Sequence, residues 1–208
     1  KAWDKFQKYP DKEIENLIQK VNYRPFDTRE IIYEDTVVWR TVRKIMSHLL
    51  NKDNMGLVFA RSNKSDTMDH FFIAEYIMET KCGERTTQSS IAPLYLYTES
   101  NTTNLGTEEK TPNFKPEFAK MVAEKFDNPT PEEVLGFIYA VLHSPSYRTK
   151  YLELLKIDFP RINFDISLEE FKRLSLIGQE LIDAHLMKKI PPSKIGEPEA
   201  DGEENYIV

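Results

Sequence analysis

The sequence predicts an α+β fold: a small, mainly antiparallel sheet with flanking helices, followed by a helical C-terminal lobe. Two observations support this prediction. The first half contains short runs of β-branched, aliphatic and aromatic residues, separated by polar segments, at 55–60, 70–78 and 91–97. In the second half, apolar residues recur at helical spacing behind capping-box sequences at 130–133 and 167–170. We therefore expect the strands to precede the helices along the chain.

The first half begins with apolar residues at helical spacing, and we expect residues 1–20 to form a linker helix that follows a preceding region. An extended segment at 22–33 and a second helix at 38–50 come next. With the three β-like runs, these elements predict a β-rich lobe over residues 21–97.

The second half is divided by composition. Residues 98–116 are rich in Thr, Asn and Glu without an apolar period, which predicts a surface loop. Residues 117–190 carry the helical patterns and predict a helical lobe. Residues 191–208 are acidic and are expected to be a mobile tail, truncated at an apolar end that resembles the start of a strand. We expect the chain to be a piece of a longer protein.

Composition excludes several classes of protein. Apolar residues make up 40% of the 208 residues, so most of the chain is not disordered. The net charge of −6 gives no support to a uniformly basic coat for nucleic acid. No apolar run approaches the roughly 18 residues that span a bilayer, so we expect no membrane partner. The single cysteine, Cys82, and the lack of a secretion signal favour a reducing, cytoplasmic location.

Motifs for catalysis, cofactors or metals are absent from the sequence. The glycines stand singly, which excludes a phosphate-binding glycine-rich loop, and no GxSxG or HExxH pattern occurs. Three weak candidates remain: a metal site at Asp66, Asp69 and His70, a nucleophile pair at His143 and Ser144, and a reactive thiol at Cys82. We interpret all three as structural. We expect this chain to have no catalytic, cofactor-binding or metal-binding residues.

Positive charge is concentrated in one segment. Residues 20–64 carry nine basic and five acidic residues, a local excess of +4 in a chain of net charge −6. Such asymmetry allows one face of a protein to meet phosphates while another repels them.

Two polar segments, at 61–65 and 85–90, carry the side-chain types that read base edges: Arg for guanine, Asn or Gln for adenine, and hydroxyl groups for either. The alternative is that these residues simply suit turns. In a simple antiparallel meander successive loops lie at opposite ends of the sheet, so both could meet one duplex only if a connection crosses over or the sheet lies along the groove. The candidates for DNA contact here are Arg61, Asn63, Lys64, Arg85, Thr87 and Gln88.

Five ordered blocks of the sequence carry a family resemblance: YRPFDTR at 23–29, NMGLV at 54–58, IAPLYLY at 91–97, FIYAVLHSPSYR at 137–148 and LKIDFPRI at 155–162. Together they resemble the C-terminal region of type ISP restriction–modification enzymes and their type IIG-like relatives. The similarity extends over about residues 21 to 190. Asn163 departs from the pattern, because the family often has Pro after the last block.

The resemblance implies a target recognition domain, which selects the DNA sequence for a multifunctional enzyme that joins an adenine-N6 methyltransferase to an endonuclease. It implies double-stranded DNA and the methyltransferase domain of the same parent chain as partners. The parent is expected to use S-adenosylmethionine, ATP and Mg, whereas the methyltransferase and Walker motifs do not occur in this sequence.

Two arginines of the first block, Arg24 and Arg29, have two interpretations. One is contact with DNA phosphates, and the other is structural ion pairing, for example with Asp27. A rival function for the whole chain is a protein–protein docking module within a larger enzyme, with the sheet as a spacer. A free-standing enzyme would require a cleft with convergent titratable groups.

Overall fold

A computed structural model describes residues 9–64, 68, 70–83, 87–98 and 109–189. In chain order, the elements are α1 (Asp11–Leu17), β1 (Ile18–Arg24), β2 (Asp27–Ile32), α2 (Arg43–Met46), β3 (Gly56–Ala60), β4 (Phe72–Ala74), β5 (Ile77–Met78), β6 (Ser89–Pro93), β7 (Tyr95–Thr98), β8 (Glu109–Pro112), α3 (Pro116–Phe126), α4 (Pro131–His143), α5 (Pro145–Leu155) and α6 (Leu168–His185). The strands precede the long helices, which confirms the predicted α+β class.

The described strands form small sheets with the orders β2-β1-β5, β4-β3-β6 and β7-β8. The pairs are antiparallel except for β1 and β5, which run parallel. In the second sheet β3 is central, and both β4 and β6 run antiparallel to it. The buried residues Val58 on β3 and Ile91 on β6 pack with Met46 and Leu49, which lie after the β1–β2 hairpin. The second sheet therefore shares a core with the first part of the chain.

Two predicted helices are shorter in the structure. Within the described part of 1–20, the helix covers Asp11–Leu17, and Ile18 already pairs with Ile32 in the β1–β2 hairpin. Within 38–50, only Arg43–Met46 is α-helical. Val42 precedes this helix with a φ of 47°, a left-handed conformation that a helix cannot include. The strand pairing of Ile18 ends the first helix, and the left-handed conformation of Val42 delays the start of the second, so both helices are shorter than the apolar spacing predicts.

The expected surface loop at 98–116 contains a strand. Glu109–Pro112 forms β8 and pairs antiparallel with β7, whereas residues 99–108 lie outside the described residues. The exposed, polar side chains of β8 hide this strand from an apolar pattern. The run at 70–78 also divides, since β4 joins β3 and β5 joins β1. The acidic tail at 191–208 lies outside the described residues.

Both predicted capping boxes are present. At α4, the Thr130 hydroxyl accepts from the Glu133 N–H and the Glu133 carboxylate accepts from the Thr130 N–H. Ser167 and Glu170 make the same reciprocal pair at α6. These boxes satisfy backbone N–H groups that the first turn of a helix leaves without a partner.

Two glycines allow α4 and α6 to cross with their backbones in contact. A Cβ atom at Gly178 would lie 1.8 Å from the carbonyl oxygen of Gly136, and one at Gly136 would lie 2.5 Å from the carbonyl oxygen of Ser175. The lack of a Cβ atom at both positions is therefore a condition of this crossing. Tyr139 on α4 and Ile182 on α6 are buried beside it in a shared core.

A polar cluster connects the helices to the sheet. Nε2 of His143 donates to the carbonyl oxygen of Phe71 at 3.1 Å, and Nδ1 accepts from Arg148 at 2.9 Å. The Tyr139 hydroxyl lies 2.5 Å from Nδ1 of His185, whose ring centroid is 5.1 Å from that of His143. Burial, followed by the nearby Arg148 charge and by His185, lowers the pKa of His143 to about 4. Burial and Arg148 also lower the pKa of His185.

We expect the protein to lose stability as the pH falls from about 6.5 towards 4. In this window the unfolded histidines bind protons that the folded ones resist, so acidification favours unfolding. For His143 the loss is about 2 kcal/mol, less than the full shift would give, because the ring is partly open to solvent. The measurement is the free energy of urea unfolding at several pH values. His143→Gln keeps a donor for Phe71 and should flatten this dependence; an unchanged slope would contradict the assignment.

Candidate nucleic-acid interface

The second sheet brings the two polar segments to one end of the molecule. Ala60, the last residue of β3, pairs with Ser89, the first residue of β6. The chain therefore leaves β3 and enters β6 at neighbouring positions of the same sheet end. β4 and β6 lie on opposite sides of β3 and both run antiparallel to it. β4 therefore ends beside Gly56, the start of β3, whereas β6 starts beside Ala60, the end of β3. The connection between β4 and β6, which includes β5, passes from one end of the sheet to the other. A crossing connection thus replaces the simple meander, which would separate the segments.

We call the residues that leave this sheet end the loop end: Arg61, Ser62, Lys64, Thr87 and Gln88. All except the half-buried Thr87 are exposed. The start of β6 is anchored by a hydrogen bond from the Gly83 N–H to the Ser89 hydroxyl at 2.9 Å. The loop end therefore presents a guanidinium, an ammonium, an amide and hydroxyl groups from a fixed scaffold.

Arg61 has a weak intramolecular partner. Its Nε lies 4.0 Å from a carboxylate oxygen of Asp158, and its side chain is 73% exposed. An exposed ion pair at this distance contributes at most about 1 kcal/mol. The guanidinium also lies 5.8 Å from the ring centroid of Phe159, which is packed edge-to-face on Phe59. Arg61 is therefore oriented by its neighbours and remains available to a phosphate or a base.

Asn63 does not fit the expectation that it reads a base. Its side chain is 4% exposed, and its Nδ2 lies 2.6 Å from Nδ1 of His70. Its backbone N–H donates to the carbonyl oxygen of Lys156 at 3.1 Å. The loop after β3 folds against the segment that follows α5, and this buries the amide. Asn63 therefore positions the loop, and a base edge cannot reach it in this conformation.

Arg24 and Arg29 lie on the β1–β2 hairpin and are already paired. Arg24 donates to Glu79 at 2.6 Å, and Arg29 makes a bidentate pair with Asp27 at 2.8 and 3.1 Å. The hydrogen bond from Arg29 lowers the pKa of Asp27. Both guanidinium groups also lie over the Tyr23 ring, at 4.1 and 3.9 Å from its centroid. This geometry favours structural pairing, with Arg29 rather than Arg24 as the partner of Asp27.

Of the remaining sequence candidates, those within the described residues are not brought into a reactive site. Arg85, Asp66 and Asp69 lie outside the described residues. Burial raises the pKa of the Cys82 thiol to about 11, which keeps it protonated and unreactive at neutral pH. Both ring nitrogens of His143 are engaged as described above, and the Ser144 hydroxyl pairs with Ser146. Among the described residues, no group of His, Cys, Asp or Glu is arranged to hold a metal ion.

Asp158 and Phe159, which orient Arg61, were missed by sequence reasoning. They lie almost a hundred residues beyond Arg61 in the chain, and no local pattern connects the two segments. In the part of the chain that the structure describes, no helix has the length and apolar character to cross a membrane.

Comparisons with known proteins agree with the sequence resemblance. The family model described as "Type ISP C-terminal specificity domain" matches residues 3–208. No curated protein gives a significant match. Solved structures that share the fold include three in which this chain corresponds to a small part of a much longer chain.

An ATP-dependent type ISP restriction–modification enzyme, LlaBIII, bound to DNA is similar with a TM-score of 0.67 and 23% identity over 85% of this chain and 11% of that one. A DrdV–DNA complex solved by cryo-electron microscopy is similar with a TM-score of 0.65 and 25% identity, over 82% of this chain and 16% of that one. A nuclease-deletion mutant of the type ISP restriction–modification enzyme LlaGI in complex with a DNA substrate mimic is similar with a TM-score of 0.60 and 22% identity, over 82% of this chain and 14% of that one.

Proposed function

Because the chain belongs to the family of type ISP C-terminal specificity domains, we propose that it recognises a double-stranded DNA target for a longer restriction–modification enzyme and performs no catalysis itself. The observation that carries this proposal is the pairing of Ala60 with Ser89, which places both polar segments at one sheet end. A single duplex groove can meet both segments there. The three similar structures are, by their descriptions, complexes with DNA or a DNA mimic.

The loop-end side chains have complementary roles in this proposal. Lys64 contacts phosphate and sets the register of the protein on the duplex. Arg61 and Gln88 face base edges, where a bidentate pair of Arg with guanine or Gln with adenine discriminates by about 1–3 kcal/mol. Thr87 and Arg85 add further contacts from the segment before β6. For Arg24 and Arg29, phosphate contact would require a phosphate to displace Glu79 or Asp27.

Other domains of the longer enzyme would supply the chemistry. We propose an adenine methyltransferase that uses S-adenosylmethionine, and an endonuclease and translocase that use ATP and Mg. Methylation requires the adenine to leave the base stack, which costs a few kcal/mol. A domain that grips the duplex offsets this cost and determines which adenine enters the catalytic site.

Docking to the methyltransferase is a second function with structural support. A cavity of about 530 Å³ lies between the end of α5 and the segment that precedes α6. Its lining includes Leu154 and Ile157, which are 60% and 69% exposed. We propose that the methyltransferase domain covers this apolar surface. Asp158 and Phe159 also line the cavity and contact Arg61, so the docked domain would lie beside the loop end.

Charge reversal at the loop end tests DNA recognition. We expect Arg61→Glu combined with Lys64→Glu to weaken duplex binding at least 100-fold at low salt, because two cations become anions beside phosphates. Fluorescence anisotropy with labelled duplexes of varied sequence measures the effect. We also expect wild-type affinity to fall steeply as salt increases.

The matched control reverses two exposed charges on α6, by Lys172→Glu combined with Arg173→Glu. This variant has the same net charge as the loop-end variant, so a similar loss of affinity in both would show that only total charge matters. A wild-type protein that binds no duplex at low salt, even with the methyltransferase domain supplied, would refute the proposed function.

A further inference from the structure

An exposed tryptophan lies on the segment between the β1–β2 hairpin and α2. The Trp39 side chain is 92% exposed, and three aliphatic residues nearby in the chain, Val37, Val42 and Ile45, are 46%, 49% and 37% exposed. Leaving apolar area in water is unfavourable, so a partner that covers these side chains would bind more tightly. Four exposed apolar side chains in one short segment favour a surface that a partner covers.

The backbone that carries Trp39 is held in place by contacts on both sides. The Thr41 hydroxyl donates to Asp35 at 2.6 Å, and the Thr41 carbonyl accepts from the Tyr33 hydroxyl. Arg43 donates to Asp35 at 3.0 Å. Val42 keeps a positive φ, a strained state for a β-branched residue that persists only when its surroundings impose it. The exposure of Trp39 is thus a built feature of the fold.

Positive charge lies beside the ring at Arg40, and Lys44 on α2 follows closely in the chain. The Arg40 guanidinium lies 5.5 Å from the Trp39 ring centroid. Among the described residues, neither Arg40 nor Lys44 forms an ion pair, whereas Arg43 is paired with Glu34 and Asp35. An exposed apolar ring beside a cation that forms no ion pair complements a partner that presents apolar sugar atoms next to phosphates. Nucleic acid has this chemistry.

We propose that Trp39, with Arg40 and Lys44, forms a second DNA-contact surface, separate from the loop end. Trp39 packs on sugar atoms of the bound duplex, and the two cations contact phosphates. This surface adds affinity that is nearly independent of the DNA sequence, so it strengthens binding to any duplex while the loop end selects the site. This inference rests on the proposed function, because it requires the chain to bind duplex DNA.

Tryptophan fluorescence tests the proposal directly. The chain has two tryptophans, and Trp3→Phe leaves Trp39 as the only one. On saturation with unlabelled duplex, followed in parallel by anisotropy of a labelled duplex, we expect Trp39 emission to be quenched and its collisional quenching by acrylamide to fall at least threefold. Trp39→Ala should weaken binding of all duplexes by a similar factor, about five- to hundredfold, because the contact covers apolar area of the ring. Trp39→Phe keeps a ring and should weaken it less.

The matched control is Leu176→Ala, which removes an apolar side chain that is 63% exposed on α6 and should leave affinity unchanged. If duplex binds but acrylamide reaches Trp39 as freely as in the unbound protein, the inference fails while the proposed function stands, and the surface is assigned to protein docking. If no duplex binds at all, the proposed function fails with it. Circular dichroism of each variant verifies that a loss of affinity reflects a lost contact.

Discussion

Gly178→Ala is expected to abolish the native packing of α4 against α6. The added Cβ atom would lie 1.8 Å from the Gly136 carbonyl oxygen and 2.9 Å from the Gly136 Cα atom, and the obstacle is backbone that no side-chain rotation can remove. The helices must separate, which opens the core around Tyr139 and Ile182. We expect a loss of at least about 3 kcal/mol, towards the upper end of overpacking effects. Thermal unfolding followed by circular dichroism measures it.

Glu180→Ala is the control for this prediction, because it places an alanine at an exposed position of the same helix. It should change the stability by less than about 0.5 kcal/mol. Gly136→Ala should also be destabilising, since its Cβ atom would lie 2.5 Å from the Ser175 carbonyl oxygen. A Gly178→Ala variant with wild-type unfolding would show that the helices do not cross at this distance.

Phe171→Ala should destabilise the helical lobe by about 3–5 kcal/mol. Phe171 is 1% exposed, stacks on Phe126 with ring centroids 4.2 Å apart, and contacts Phe137 at 5.2 Å. Removing the ring leaves a cavity between three helices and loses aromatic contacts as well as buried area. Urea unfolding at pH 7 gives the change in free energy.

Leu176→Ala again provides the comparison, since it removes an aliphatic side chain from the solvent side of the same helix. We expect this change to stay within about 0.5 kcal/mol. Equal effects of the two variants would contradict the burial of Phe171. Because Phe171 lies away from the loop end in sequence and contacts, Phe171→Leu should retain duplex affinity while lowering stability.

Local signals in the sequence predicted local structure well. The capping boxes of α4 and α6 are chemical patterns within four residues, and both form as expected. The β-like runs also contain strands, because β-branched and aromatic residues suit a half-buried sheet. The exposure of Arg61, Lys64 and Gln88 follows from their polarity and their position beside strands.

Contacts between distant segments could not be predicted in this way. The burial of Asn63 depends on His70 and on a carbonyl oxygen after α5, and nothing in the sequence around residue 63 reports either. Arg24 selects Glu79 over the nearer Asp27 because β5 brings the end of its segment beside β1. Gly136 and Gly178 stand singly in helices, and only the crossing reveals why each lacks a side chain. Tertiary partners determined each of these outcomes.

The adjacency of Ala60 and Ser89 has a consequence for changing the specificity of such a domain. Segments anchored to paired neighbours on a hydrogen-bonded ladder are coupled in space, so new side chains on one alter the path open to the other. Re-engineering should therefore transplant 61–69 and 80–90 together, as one cassette, between related domains. The β3–β6 pairing would stay constant, and only the segments that contact the bases would differ between the domains.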